Sequence, residues 1–371
     1  MQSDFQDRLR IWARWLWIYF LYASGLTRWA RNRLKASRGI LVLTLHRVLD
    51  EADFSATNSP PGMVVRKRTF QDLLRYLQEH CEVVSIGDAL ERRNGSPSRP
   101  LFAVTFDDGW KDTAHVAFPE ARERGIPIAL FVCPGLLGKV LPFWPERVLA
   151  VWKAAVSKTG LRDKLASCCR LAGLTNPFSS NADGPRHPET LLAQLKGLPV
   201  GDLEAFVEEI NDLAKTWGCT ETIGQMEATM TGREMAELCQ SGVVIGSHTQ
   251  HHPILTRVLE PVATAEVAEA KREIELTLGC PCTQFTYPNG SWSPAIREIV
   301  RENGHSQAFI NEPGIWSSST DPWLIPRVNI WEGSIVGPSG RFSPVLFQYS
   351  TFWRAHRAEK RKLRKGMRLS R

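Results

Sequence analysis

No apolar run in this chain is long and clean enough to cross a bilayer. The best, Ile11 to Leu26, falls short of the roughly 20 apolar residues a span needs and is interrupted by Arg14. A secretory signal is poorly imitated as well, because the stretch is aromatic rather than aliphatic and Ala23-Ser24-Gly25 is a weak cleavage site. The eight cysteines form no spaced framework: Cys168 and Cys169 are adjacent, Cys280 and Cys282 flank one proline, and no pair has zinc-knuckle spacing. Such usage reads as reduced thiols, hence a cytoplasm-facing protein. The basic charge comes with no recognition motif, so no nucleic-acid partner is expected.

The 371 residues, 43% apolar and 23% charged, describe a globular chain with ample core. The net charge of +7 hides an asymmetry. Residues 1–38 carry +6 and residues 354–371 carry +8, which leaves −7 between them by difference. The basic character therefore belongs to the ends and describes what they touch. Trp, Tyr and flanking arginines in residues 1–38 suit the headgroup boundary, giving an expected interfacial helix; the alternative is a helix that packs its aromatics on the domain. The tail, residues 351–371, suits anionic lipid at about 1 kcal/mol per basic residue near the surface, or is simply a solvated tail. The expected location is cytoplasmic and peripheral, on the inner face of a membrane.

Two stretches carry chemistry. Leu101-Phe-Ala-Val-Thr-Phe106 reads as a buried strand that runs into Asp107-Asp108-Gly109. In a parallel α/β architecture the strand C-termini form the ligand face, and Gly109 frees the backbone to turn both carboxylates toward one cavity. Like charges so close ask for a cation or a shared proton. Val243-Val-Ile-Gly-Ser-His248-Thr-Gln-His251-His252-Pro is a second strand with histidines at its exit. Positions four apart share a helical face, so His248 and His252 can converge, with His251 a competing ligand. Two imidazoles, a carboxylate and a water make the ligand set of a hydrolytic zinc site.

These residues resemble the polysaccharide deacetylases, the NodB-homology carbohydrate esterases (family 4) that remove N-acetyl groups from amino-sugar polymers. Thr105-Phe-Asp107-Asp108-Gly109 is similar to their first motif and Gly246-Ser-His248-Thr-Gln-His-His252-Pro to their second, the resemblance running from about Ile40 to about Ile330. It implies a distorted or incomplete (β/α), TIM-like barrel. It implies Asp107 as general base and Asp108, His248 and His252 as ligands of one divalent metal, Zn2+ or another transition ion. His46, closing the apolar run from Gly39, resembles the active-site histidine of the branch acting on biofilm poly-N-acetylglucosamine, and is the candidate general acid. Phe285-Thr-Tyr287-Pro288-Asn289-Gly290 resembles that branch's third motif, and its backbone N–H groups are candidate oxyanion donors, Asn289 above all. Many relatives carry an arginine where this chain has Thr286, and Arg327 is the substitute expected to hold Asp107 ionised.

The barrel is expected in two parts, residues 39–135 and 231–350, around an α-helical insertion over 136–230. The expected activity is metal-dependent removal of N-acetyl groups from a polymeric or lipid-linked amino-sugar glycan. The alternatives are an O-deacetylase or other amide hydrolase, and a silent carbohydrate-binding or membrane protein.

Overall fold

In the computed structural model, which describes residues 2–95, 97–178, 188–219 and 227–369, ten short strands carry the architecture. They are β1 (Ile40–Leu45), β2 (Arg47–Leu49), β3 (Val64–Arg66), β4 (Glu82–Val83), β5 (Leu101–Phe106), β6 (Ile128–Val132), β7 (Val244–Ser247), β8 (Gln284–Thr286), β9 (Gln307–Ile310) and β10 (Ile325–Asn329). Seven of them form a closed parallel ring in the order β1, β10, β9, β8, β7, β6, β5, with β5 pairing back onto β1 along its whole length. β4 lies against the start of β5, and β2 and β3 form a separate parallel pair. The ring is a (β/α) barrel one strand short of eight, as the family resemblance implied.

Every residue of β1, β5 and β6 is buried, which is why these strands read as unbroken apolar runs rather than as alternating ones. Alternation is still present in where the side chains go. Ile40, Val42, Ala103, Ala129 and Phe131 join Phe309 and Ile325 in one cluster. Their neighbours Leu41, Leu43, Phe102, Val104, Phe106 and Leu130 join Phe70, Leu73 and Leu77 of the helix Lys67–His80 in another. The first set fills the ring and the second faces the surrounding helices. By the same parity, Thr44, Thr105, Asp107 and Arg327 fall on the inward side.

The helices follow the sequence cues closely. Thr231 caps the helix Gly232–Gln240 by accepting from Glu234 N–H, and the Glu234 carboxylate accepts from Thr231 N–H at 2.7 Å, a reciprocal capping box. Residues 260–278 form the long helix Glu260–Leu278. The stretch from Thr113 to Arg124 begins as a π-type turn, Thr113–Ala117, before the helix Phe118–Glu123.

The chain divides into two compact units. Met1–Trp15, Ala56–Pro60 and Val140–Ala228 form one; Leu16–Ser55, Pro61–Lys139 and Thr229–Arg371, with all ten strands, form the other. The smaller unit contains the helices Trp144–Ser157, Thr159–Leu171, Pro188–Leu195 and Val200–Thr216, with Val148, Leu161, Leu165, Leu195, Phe206 and Ile210 in a core of their own. Residues 176–188 of this unit are rich in Pro, Ser, Asn and Gly, and most of them lie outside the described residues.

The N-terminal stretch expected as one helix is two, Gln2–Ala23 and Leu26–Ala36, broken at Gly25 with its φ of 78°. Ile18, Leu21, Ala30 and Leu34 are buried, whereas Leu16, Trp17, Tyr19, Phe20, Tyr22 and Trp29 are exposed. Among the described residues no helix is long and apolar enough to cross a membrane.

Candidate active site

Parallel strands deliver the chemistry to one end of the barrel. His46 follows β1, Asp107 and Asp108 follow β5, His248 follows β7, the Pro288 turn follows β8, Asn311 follows β9, and Arg327 stands within β10. These are strand C-termini, the face where barrels of this kind carry their chemistry. Six non-glycine residues among those described have φ well above zero, and Asp108 (75°), Thr249 (68°), His252 (64°) and Asn289 (56°) are four of them. Backbone strain thus concentrates in the loops that aim the site's side chains. Gly290 is obligatory in its turn: a Cβ there would lie 2.8 Å from the backbone nitrogen of Asn311.

Asp108 meets both histidines that stand four apart. Its Oδ1 lies 3.5 Å from His248 Nε2 and 3.6 Å from His252 Nε2, and all three ligand atoms fall within 4.8 Å of one another. Ligands of a tetrahedral zinc at about 2.0–2.1 Å are separated by about 3.3 Å, so the spacing fits one small divalent cation. Two further observations fit. Asp108 Oδ1 is buried with no hydrogen-bond partner among the described residues, while its Oδ2 accepts from Trp110 Nε1 at 3.1 Å. His248 Nδ1 lies 2.9 Å from the Thr286 carbonyl and also contacts the Thr286 hydroxyl. Donation to that carbonyl fixes the tautomer and leaves the Nε2 lone pair toward Asp108. Burial, foremost, brings the His248 pKa down to about 4, so the ring is neutral at pH 7, the form that ligates. His251 turns away: its Nδ1 and backbone N–H both contact the Glu266 carboxylate, at 2.9 and 2.8 Å, and the ring is exposed.

Asp107 has a different environment. Arg327 grips it with two parallel bonds, Nη1 to Oδ1 and Nη2 to Oδ2, both 2.7 Å, with both residues buried. Burial alone would push the carboxyl up, but the Arg327 guanidinium, with His248 and His46 behind it, holds it well below the usual range. Asp107 is therefore an ionised carboxylate kept apart from the ligand set. Arg327 is itself steadied by Thr105 Oγ1 at 3.3 Å and Asn311 Oδ1 at 3.0 Å. His46 Nε2 stands 4.0 Å from Asp107 Oδ2 on the edge of the cluster.

Of the four residues expected at the oxyanion turn, three have no donor to give. Tyr287 is buried, its hydroxyl donating to the Trp323 carbonyl at 3.0 Å and its N–H to the Phe309 carbonyl at 3.2 Å. Pro288 has no N–H, and that of Gly290 closes the turn onto the Tyr287 carbonyl at 2.8 Å. Asn289, the fourth, is exposed.

Sequence reading passed over a second layer. Arg47 is buried, donates through Nε to Asp112 Oδ2 at 2.9 Å, and stacks its guanidinium 4.1 Å from the Trp110 ring centroid. Asp112 also accepts from Val48 N–H at 2.9 Å. Trp110 is thereby wedged in place with its N–H on Asp108. The signal was adjacency: Arg47 follows His46, and Trp110 follows the acidic motif. Thr286, read only as a missing arginine, is the residue that orients His248.

Residues 211–308 match the family described as polysaccharide deacetylase, a range that takes in the histidine loop and the Pro288 turn. Over 104 residues the chain is 25% identical to YxkH of Bacillus subtilis (strain 168), which its name assigns to the polysaccharide deacetylases; the match spans 28% of this chain and only 37% of that relative. Among solved structures, the Streptococcus pyogenes deacetylase PplD in complex with acetate superposes with a TM-score of 0.51 at 16% identity, covering 80% of this chain and 94% of that one. IcaB from Ammonifex degensii gives a TM-score of 0.51 at 18% identity, covering 85% and 97%. At these identities the two structures establish a shared fold.

Proposed function

We propose, from the premise that this chain belongs to the polysaccharide deacetylase family, that it hydrolyses the N-acetyl amide of an amino-sugar glycan. The observation that carries the reading is the arrangement of one cluster: an Asp108 oxygen with no hydrogen-bond partner among the described residues faces two imidazole nitrogens, beside a second carboxylate, Asp107, gripped by Arg327.

Asp108, His248 and His252 would hold a divalent ion, with Zn2+ the best match to one carboxylate and two imidazoles. When bound, such an ion supplies Lewis acidity, polarising an amide carbonyl and making water acidic enough to attack it at neutral pH. The remaining work falls to the chain's own residues. Asp107 takes a proton from the attacking water, and Arg327 keeps it charged until then. His46, with a ring nitrogen 4.0 Å from Asp107, delivers a proton to the departing amine. Asn289, in the turn after β8, is the candidate donor to the developing oxyanion. The products are acetate and a free amino sugar.

A membrane-surface location accompanies this reading. The exposed aromatic residues from Leu16 to Trp29 and the basic helix Arg354–Leu369 supply two weak anchors of different kinds, and two are needed for stable attachment. A lipid-linked or membrane-associated glycan is then the economical substrate. Acetate release from a panel of N-acetylated polymers, oligosaccharides and lipid-linked sugars, with and without chelator, tests the reaction. Chelator-sensitive release from an amino-sugar substrate supports it. Release only from O-acetylated sugars would move the activity to the ester alternative, and no release from any would leave a binding protein.

A further inference from the structure

The two basic ends of the chain meet around a cavity of about 440 Å³, between the helix Leu26–Ala36 and the segment from Trp353 to Arg361. Its lining includes Trp29, Trp353, His356, Arg357, Lys360 and Arg361. Trp29 meets His356 edge to face, with centroids 4.7 Å apart, and the cations of Arg33 and Lys360 sit 5.7 and 5.9 Å from the Trp29 ring. His356 is only 7% exposed, yet its Nε2 has no hydrogen-bond partner among the described residues. Trp353 Nε1 is also buried and unpartnered among them. The one acid of this segment, Glu359, contacts the Ile315 N–H at 3.4 Å. Burial first, then the neighbouring cations Lys360 and Arg33, lowers the pKa of His356.

Two unmatched ring nitrogens and three exposed cations around one hollow call for an anion with several oxygens. The space falls within the roughly 300–1,000 Å³ of ligand sites, room for more than a bare phosphate. Leu26 and Trp29 are exposed apolar residues that also line it, and they continue the exposed run Leu16, Trp17, Tyr19, Phe20 and Tyr22. A ligand with a phosphate at one end and hydrocarbon at the other matches both parts. We propose that this cavity is a binding site for the phosphate headgroup of an anionic glycerophospholipid, its acyl chains lying toward the exposed aromatics. The inference rests on the membrane-surface reading above and gives that attachment a specific seat rather than a diffuse charge.

The test uses the full chain and phosphatidylcholine vesicles with and without phosphatidylglycerol, read by co-sedimentation and by quenching of tryptophan fluorescence with brominated lipid. Arg357→Gln/Arg361→Gln removes two cations from the cavity, and Arg28→Gln/Lys35→Gln removes two exposed cations from the neighbouring helix outside it. The site predicts at least a tenfold greater loss of affinity for the first pair than for the second. It also predicts a comparable loss for Trp29→Ala, which changes no charge, and no fluorescence change with inorganic phosphate. Equal losses for the two pairs, with Trp29→Ala like wild type, would overturn the site while leaving membrane attachment standing. Failure of wild type to bind either vesicle would remove both. A fluorescence change saturated by inorganic phosphate alone would overturn the lipid assignment.

Discussion

Replacing Arg327 with methionine isolates the claim that Asp107 is a base kept ionised by one partner. The pair is bidentate at 2.7 Å with both side chains buried. Removing one member of a buried pair costs about 3–5 kcal/mol, because the other is left charged and dry. Asp107 can escape part of that cost by taking up a proton. At about 1.36 kcal/mol per pH unit, the interaction is large enough to lift its titration by about two units or more.

The sign follows from the folded state. In wild type the carboxyl is depressed, so its stabilisation is complete above the unfolded value of about 3.9 and is lost only as pH falls through the lower folded value. In Arg327→Met burial dominates, and the folded value lies above the unfolded one, so the variant's deficit against wild type is largest at neutral pH and shrinks on acidification. The assay is kcat/KM against pH with urea unfolding at matched pH values. The acid limb should move into the mildly acidic range, and the metal content should not change, since Arg327 touches none of the three ligands. A wild-type pH profile together with wild-type stability would refute the reasoning.

Further variants separate the remaining roles. Trp110→Phe keeps the ring over Arg47 but removes the N–H on Asp108 Oδ2, so metal affinity should fall by about 10–100-fold in a chelator competition with the fold intact by circular dichroism; unchanged affinity would mean that the contact is incidental. His46→Gln should lower kcat by about 10²–10⁴-fold with full metal content, whereas lost stability with normal turnover per folded molecule would make it a structural histidine. His251→Ala should keep both metal and turnover because its ring faces Glu266, and metal loss in that variant would reopen the ligand assignment.

Much of this was legible because it is local. A strand buried on both faces announces itself as an apolar run, and its functional residue follows directly after it, as Asp107 follows β5 and His248 follows β7. The capping box at Thr231 and the helix Glu260–Leu278 likewise depend on near neighbours. Contacts between distant segments were less legible. Spacing alone could not separate His251 from His252, because the choice depends on Glu266, fifteen residues away across a loop. Tyr287 sits within a motif-like turn, yet its hydroxyl is committed to Trp323, a partner that only the closed barrel brings near. The Arg47, Asp112 and Trp110 layer was hidden for the same reason: each residue looked ordinary until the first two met across the end of the barrel.

The most direct measurement of the central claim is metal content and acetate release on the same samples of wild type, Asp107→Asn and His248→Ala. The account predicts one divalent ion per wild-type chain with chelator-sensitive release, full metal but almost no turnover in Asp107→Asn, and loss of both in His248→Ala. Full metal content in His248→Ala, or near-normal turnover in Asp107→Asn, would contradict it.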